Sequence, residues 1–217
     1  MMKDTLRISI AVGLTVLLSA CNTVKYNTLE KIGIHKRDLL VSNVEDARDA
    51  QKEAQTQFKD ALERFGSVVQ IEETGLKKAY DRLSDEYEDS QDAAEDVSDE
   101  IDDVEDVANA LFKEWNEEIK LYSDPNLRSN SQQQLRDTQS RYGEMLSTMK
   151  AAERSMEPVL KTFRDNVLFL KHNLNAQAVG SLRQTFQSLE GDIDRLVQQM
   201  NQSIERSNQF IAEMRPS

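Results

Sequence analysis

The sequence predicts an all-α protein, an elongated antiparallel helical bundle or coiled coil of three to four long helices. Three observations carry that prediction. Gly and Pro together number only 10 of 217 residues, too few to supply the turn every roughly 8–12 residues that a sandwich, barrel or propeller needs. Apolar or small residues recur at alternating steps of four and three along most of the chain, the 3.5-residue period that keeps one helical seam facing a partner. No stretch reads as a strand. The single Cys and the absence of a Gly-X-Y repeat exclude disulfide-stapled and collagen-like classes. A formal net charge of −12 argues against a nucleic-acid partner, since phosphate neutralisation needs a basic surface.

Residues 1–20 read as an export signal. Lys3 and Arg7 precede an eleven-residue apolar stretch, Ile8 to Leu18, which as a helix is only about 16 Å long. That is about half the hydrocarbon thickness of a bilayer, so the stretch suits a signal-peptide core and not a stable span. Leu18-Ser19-Ala20-Cys21 closes it and resembles the lipobox of bacterial lipoproteins. The resemblance implies cleavage before Cys21 and acylation of its thiol and new amino group, making Cys21 the lipid anchor. Asn22 follows, where an Asp would resemble an inner-membrane retention signal, so the expected place is the periplasmic face of the outer membrane. Residues 21–37 form a lipidated N-terminus and short tether; Lys25, Lys31, Lys36 and Arg37 stand there against Glu30 alone. The mature side chains then carry −13 in total.

The bundle is expected over 38–217, with helices at about 38–72, 76–123, 132–174 and 177–214. The first seam runs Leu40, Val44, Ala47, Gln51, Ala54, Phe58, Ala61, Phe65, Val68, broken only by Gln51. Gly66 and Gly75 bracket 67–74, an expected helix end or hinge. The second seam runs Leu76, Tyr80, Leu83, Tyr87, Ser90, Ala94, Val97, Ile101, Val104, Ala108, Leu111, Trp115, Glu118, Tyr122, until Ser123-Asp124-Pro125-Asn126 stops it. Polar residues 126–134 are assigned to the loop and the next helix start. The third runs Leu135, Thr138, Tyr142, Met145, Met149, Ala152, Met156, Val159, Phe163, Val167, Leu170, Leu174, with a kink expected at the internal Pro158. The fourth runs Val179, Leu182, Phe186, Leu189, Ile193, Leu196, Met200, Ile204, Ser207, Ile211, Met214. Trp115 and the tyrosines are assigned to the core. So is Val167-Leu168-Phe169-Leu170, apolar all round its helix, with an exposed patch that docks another protein, a membrane or a second copy as the alternative.

Thirteen carboxylates and no Lys or Arg lie between Asp85 and Asp106. They avoid the seam and read as a solvated outward arc opposed by Arg48, Lys52 and Lys59, or by Lys150, Arg154 and Lys161. Cation binding through 85–106 is the other reading, but the run has no glycine for a calcium loop. His35 and His172 have no His or Cys at ligand spacing, so no metal is expected. Phosphate loop, nucleophile elbow and zinc-helix motifs are all missing. No catalytic residue, cofactor or small-molecule substrate is expected.

Gly33-Ile34-His35-Lys36-Arg37-Asp38, Val44-Glu45-Asp46-Ala47-Arg48-Asp49-Ala50-Gln51, Asp85-Glu86-Tyr87-Glu88-Asp89-Ser90 and Leu170-Lys171-His172-Asn173-Leu174-Asn175-Ala176 resemble the proteobacterial "domain of unknown function 2959" family. The resemblance covers nearly the whole mature chain and implies an exported helical lipoprotein, with no activity attached. The expected role is a lipid-tethered scaffold, spacer or adaptor that meets an envelope protein or itself. The alternative is a membrane-shaping module like the crescent helical dimers of the BAR class.

Overall fold

Four helices make up almost all of the chain that the computed structural model describes: residues 36–69, 75–173 and 176–215, with the backbone alone at 176–179. They are α1 (Lys36–Val68), α2 (Leu76–Ile119), α3 (Pro125–His172) and α4 (Ala176–Met214). No strand occurs among the described residues. The signal segment 1–20, Cys21, Asn22, the tether as far as His35, residues 70–74 of the expected hinge and Leu174 lie outside them.

Each helix packs on its neighbour in sequence, and α4 closes the ring against α1. The cross-links show that neighbours run antiparallel. Asn43 of α1 donates to Asp103 O of α2 and, further along, Gln57 donates to Glu86; Arg37 reaches Met214 O of α4 and Arg183 reaches Val69 O. With 48 residues, α3 is about 72 Å long, so the molecule is an all-α rod. One end gathers the start of α1, the end of α2, the start of α3 and the end of α4. The residues that precede Lys36 in the chain join α1 at this end.

All nine predicted seam residues of α1 are buried, Gln51 included. On α3, ten of the twelve predicted are buried, Tyr142 is half-buried and Leu174 lies outside the described residues. The longest strict 4–3 row, that of α2, departs most from prediction. On α2, Glu86, Val107 and Ile119 turn inward, while Glu118 and Tyr122 are exposed. A straight helix gains about 20° per heptad on a strict seven-residue repeat, so a fixed 4–3 stepping drifts off the buried face. On α4, Ser203 takes the inward place predicted for Ile204, which is half-buried.

Three placements need correction. First, α3 starts at Pro125 and not near 132, and α2 stops at Ile119 rather than 123. The Asp124 carboxylate accepts from Asn126 N and Leu127 N at 2.7 and 3.3 Å, and Pro125 stands at N1, where its missing N–H costs nothing. A cap of that kind contributes about 1 kcal/mol, enough to draw the polar stretch 126–134 into helix. Second, Tyr122 is not core. Third, Val167 and Leu170 are buried but Leu168 and Phe169 are exposed, because a four-helix ring covers only the inward arc of each helix.

The helix α1 continues through Gly66. A Cβ there would sit 3.1 Å from the Phe186 ring, so this glycine serves close approach of α1 to α4 and not a bend. α3 runs as one helix through Pro158, and Thr162 donates to the Pro158 carbonyl at 3.0 Å.

Candidate functional site

The described residues offer two surfaces with chemistry of their own: the acidic flank of α2 and the end of the rod where α1 begins. Ten of the thirteen carboxylates between Asp85 and Asp106 are exposed, and Glu100 and Glu105 are half-buried. Glu86 is the exception to the outward arc. It is buried against α1, where Gln57 donates to it and the Arg64 guanidinium pairs with it. Of the cations expected to oppose this arc, Lys150 pairs with Glu105. Arg48 and Lys52 instead turn to Asp49 on their own helix, at 2.9 and 2.8 Å, and Lys59 donates to Gln55.

The electrostatics follow. Burial pushes the Glu100 carboxyl above its ordinary range, helped by Asp46, Asp103, Asp96 and Asp99. Hydrogen bonds from Arg48 and then Lys52 hold Asp49 down at about 2. Burial, with Glu105 nearby, raises the Tyr142 phenol. A Glu whose folded pKa is raised binds more protons folded than unfolded, so its contribution is present at low pH and is lost as pH rises through the folded value. Asp49 works in the opposite sense, but only below its unfolded value near 3.8. The thermal midpoint is therefore expected to rise as pH is lowered from 7 through that raised value. Glu100→Gln should shrink that rise, and salt, which screens the exposed run, should mimic it at pH 7. A midpoint that falls steadily over this window would contradict the assignment. Melting curves across pH and salt decide it.

Among the described residues no three His, Cys, Asp or Glu side chains gather where they could hold a metal ion; carboxylates on one helix diverge. His172 is exposed in the last turn of α3, where a basic residue faces the helix C-terminus. Between α2 and α3 lies an open groove of about 390 Å³ floored by Tyr87, Ala94, Met156 and Leu160. Its rim mixes Glu95, Glu153 and Glu157 with Lys161 and Arg164, and Ser98 donates to Glu153 at 2.9 Å.

At the end where α1 begins, Lys36 is buried and its ammonium lies 3.0 Å from Glu114 of α2. The Arg37 guanidinium donates to the Met214 carbonyl at 2.9 Å, a cation on the C-terminal end of α4. Beside them a groove of about 510 Å³ is lined by Leu111, Trp115, Thr138, Arg141 and Glu213. Trp115 is half-buried rather than fully enclosed, and its indole N–H donates to Ser131 Oγ at 2.9 Å. Past it, Leu121, Tyr122 and Leu127 stand exposed at the α2–α3 turn. The heptad reading missed this cluster because it carried the second helix and its seam through Tyr122. The Asp124-Pro125 cap pair is the signal that marks the start of α3, which the polarity of 126–134 had hidden.

The family model for proteins of unknown function designated DUF2959 matches residues 25–214. The chain belongs to the DUF2959 family. That match covers every described helix of this DUF2959 protein, so the bundle is the family's domain and not an addition to it. No curated protein and no solved structure matches the chain. No helix among the described residues of the DUF2959 protein is long and apolar enough to cross a membrane.

Proposed function

We propose that this DUF2959 protein is a lipoprotein held at the periplasmic face of the outer membrane through Cys21. Its helical rod serves there as a spacer, scaffold or interaction adaptor, without catalysis of its own. The observation that carries the reading is geometric. The chain leading back to Cys21 joins the bundle at one end of a rod about 72 Å long, so a lipid on Cys21 tethers that end and leaves the flanks and far end to meet a partner. Three acyl chains on one cysteine would make the attachment effectively permanent, since each buried CH₂ contributes about 0.8 kcal/mol. The grooves between helices are shallow and mixed in character, and a structural role needs no deeper pocket.

The membrane-shaping alternative finds less support. The crescent modules it resembles present a strongly basic face, whereas α2 is strongly acidic, α4 is slightly acidic and α3 has only a small basic excess. Cys21→Ser tests the leading reading. Wild-type protein is expected in the outer-membrane fraction with an acylated first residue, and Cys21→Ser is expected to leave that fraction, uncleaved or released. A wild-type chain whose mature N-terminus carries no fatty acid would end the proposal.

A further inference from the structure

Resting on that lipoprotein reading, we infer that the α2–α3 turn is a second membrane contact, an apolar tip that sits in the phospholipid interface beside the lipidated N-terminus. Lys36 is paired with Glu114 and Arg37 with Met214, so the described ends of α1 and α4 lie level with Glu114. Leu121 lies seven positions on from Glu114, and at helical rise the turn projects about 10 Å past that level. Leu121, Tyr122 and Leu127 are 80%, 40% and 53% exposed there. They make up three of the five large hydrophobic side chains exposed among the described residues.

The tip is built, not frayed. Leu121 N donates to Glu118 O at 2.9 Å, Lys120 N to Glu117 O at 3.2 Å, and the Arg128 guanidinium to Tyr122 O at 2.6 Å. Asp124 takes up the first free N–H groups of α3. These bonds satisfy part of the turn's backbone internally, and the headgroup level, which keeps water, hydrates the rest. A tyrosine with leucines, flanked by Lys120 and Arg128 on long stems, suits the headgroup level, where amphipathic side chains keep their polar ends wet.

Reach and charge select the occupant. Lys36 lies fifteen positions on from Cys21, a span of at most about 50 Å when extended, so a bilayer holding the Cys21 lipid lies within reach of the tip. The end of the rod carries Lys36, Arg37, Lys113, Lys120, Arg128, Arg136, Arg141 and Arg215 among its acids and is close to neutral, while the acid excess lies further along, chiefly on α2. An anionic lipid surface therefore repels the body and tolerates this end.

The test uses the mature lipoprotein in vesicles of phosphatidylethanolamine and phosphatidylglycerol. Acylation blocks the Cys21 thiol, so the Leu121→Cys variant offers a single site for an environment-sensitive fluorophore; Leu168→Cys, exposed near the other end of the rod, is the comparison. On reconstitution the label on Leu121→Cys should gain emission several-fold and be quenched by nitroxide lipids, and the label on Leu168→Cys should do neither. Labelling Leu127→Cys in a Leu121→Asp background should lose most of the gain. Flotation with the vesicles and one label per chain report separately on Cys21. Flotation without a change at Leu121→Cys overturns the tip and leaves the anchor standing; failure to float overturns both. A label already shielded before vesicles are added, covered by this chain's own segment, overturns the lipid contact. So does one shielded in cells but not in vesicles, covered by a protein.

Discussion

Phe65→Ala is expected to lower the unfolding free energy by about 3–5 kcal/mol, the range for deleting a fully buried aromatic ring. Phe65 has no exposed surface and joins three helices. Its ring meets Phe163 of α3 edge-on at 5.8 Å and stacks on Phe186 of α4 at 6.0 Å. Aromatic pairs of this kind add about 0.5–1.5 kcal/mol beyond area burial. Relaxation is restricted as well. Gly66, the next residue, already lets the Phe186 ring come within 3.1 Å of where a Cβ would stand, so Phe186 cannot shift freely into the void. Phe186→Ala should cost less, because that ring is only half-buried. Denaturant unfolding followed by circular dichroism measures the loss. Trp115 lies near the opposite end of the rod, and its fluorescence reports whether the damage spreads. In a cooperative bundle both signals shift together; a transition confined to circular dichroism would show that the Phe65 end melts alone. A loss below about 1 kcal/mol would mean that this cluster does not hold the three helices together.

How far the fold was legible depends on how well a repeat of 3.5 tracks a helix of 3.6. Over the 33 residues of α1 the two stay in phase, and the predicted seam from Leu40 to Val68 is the buried face. Over the 44 residues of α2 the phase error accumulates, and Ile119 faces inward where Glu118 had been assigned. Composition alone does not show which way the face drifts; that depends on how the neighbouring helices wrap. Helix ends were misplaced where local capping outweighed polarity, since Asp124 and Pro125 start α3 ahead of nine residues with little apolar content. The acid pairings were only partly legible. Lys150 meets Glu105 across helices, but Arg48 and Lys52 found Asp49 one and three residues away. A nearby carboxylate on the same helix costs less side-chain ordering than one across a gap. The apolar tip was not visible in the pattern, because Leu121 and Leu127 carry no periodicity, Tyr122 reads as the last step of the second seam, and their exposure follows from where the turn falls.

Gln51→Leu is expected to stabilise the bundle, against the usual direction of a core substitution. Gln51 is wholly buried in the middle of the α1 seam, and neither its amide nitrogen nor its amide oxygen has a hydrogen-bond partner. A buried unpaired polar group costs about 1–3 kcal/mol, and leucine fills a similar volume without it. The level is set by its flanks: Arg48 donates to Asn208 at 3.2 Å and Gln55 to Asn201 at 3.0 Å. Ser203, whose hydroxyl also lacks a partner, falls between them on α4. Ala47 and Ala54, both buried, lie one turn either side of Gln51 and leave little bulk around this layer. The expected gain from Gln51→Leu is about 1–3 kcal/mol, and Gln51→Ala should instead lose stability through the void it opens. One polar residue in an otherwise apolar seam also restricts which registers and how many chains can pack together. The Gln51→Leu protein should therefore populate oligomers that the wild type does not, a change sedimentation velocity measures. A loss of more than about 1 kcal/mol would show that the amide is paired and that this layer holds the bundle together. A gain with no change in association would leave the polar layer as a cost without a role in register.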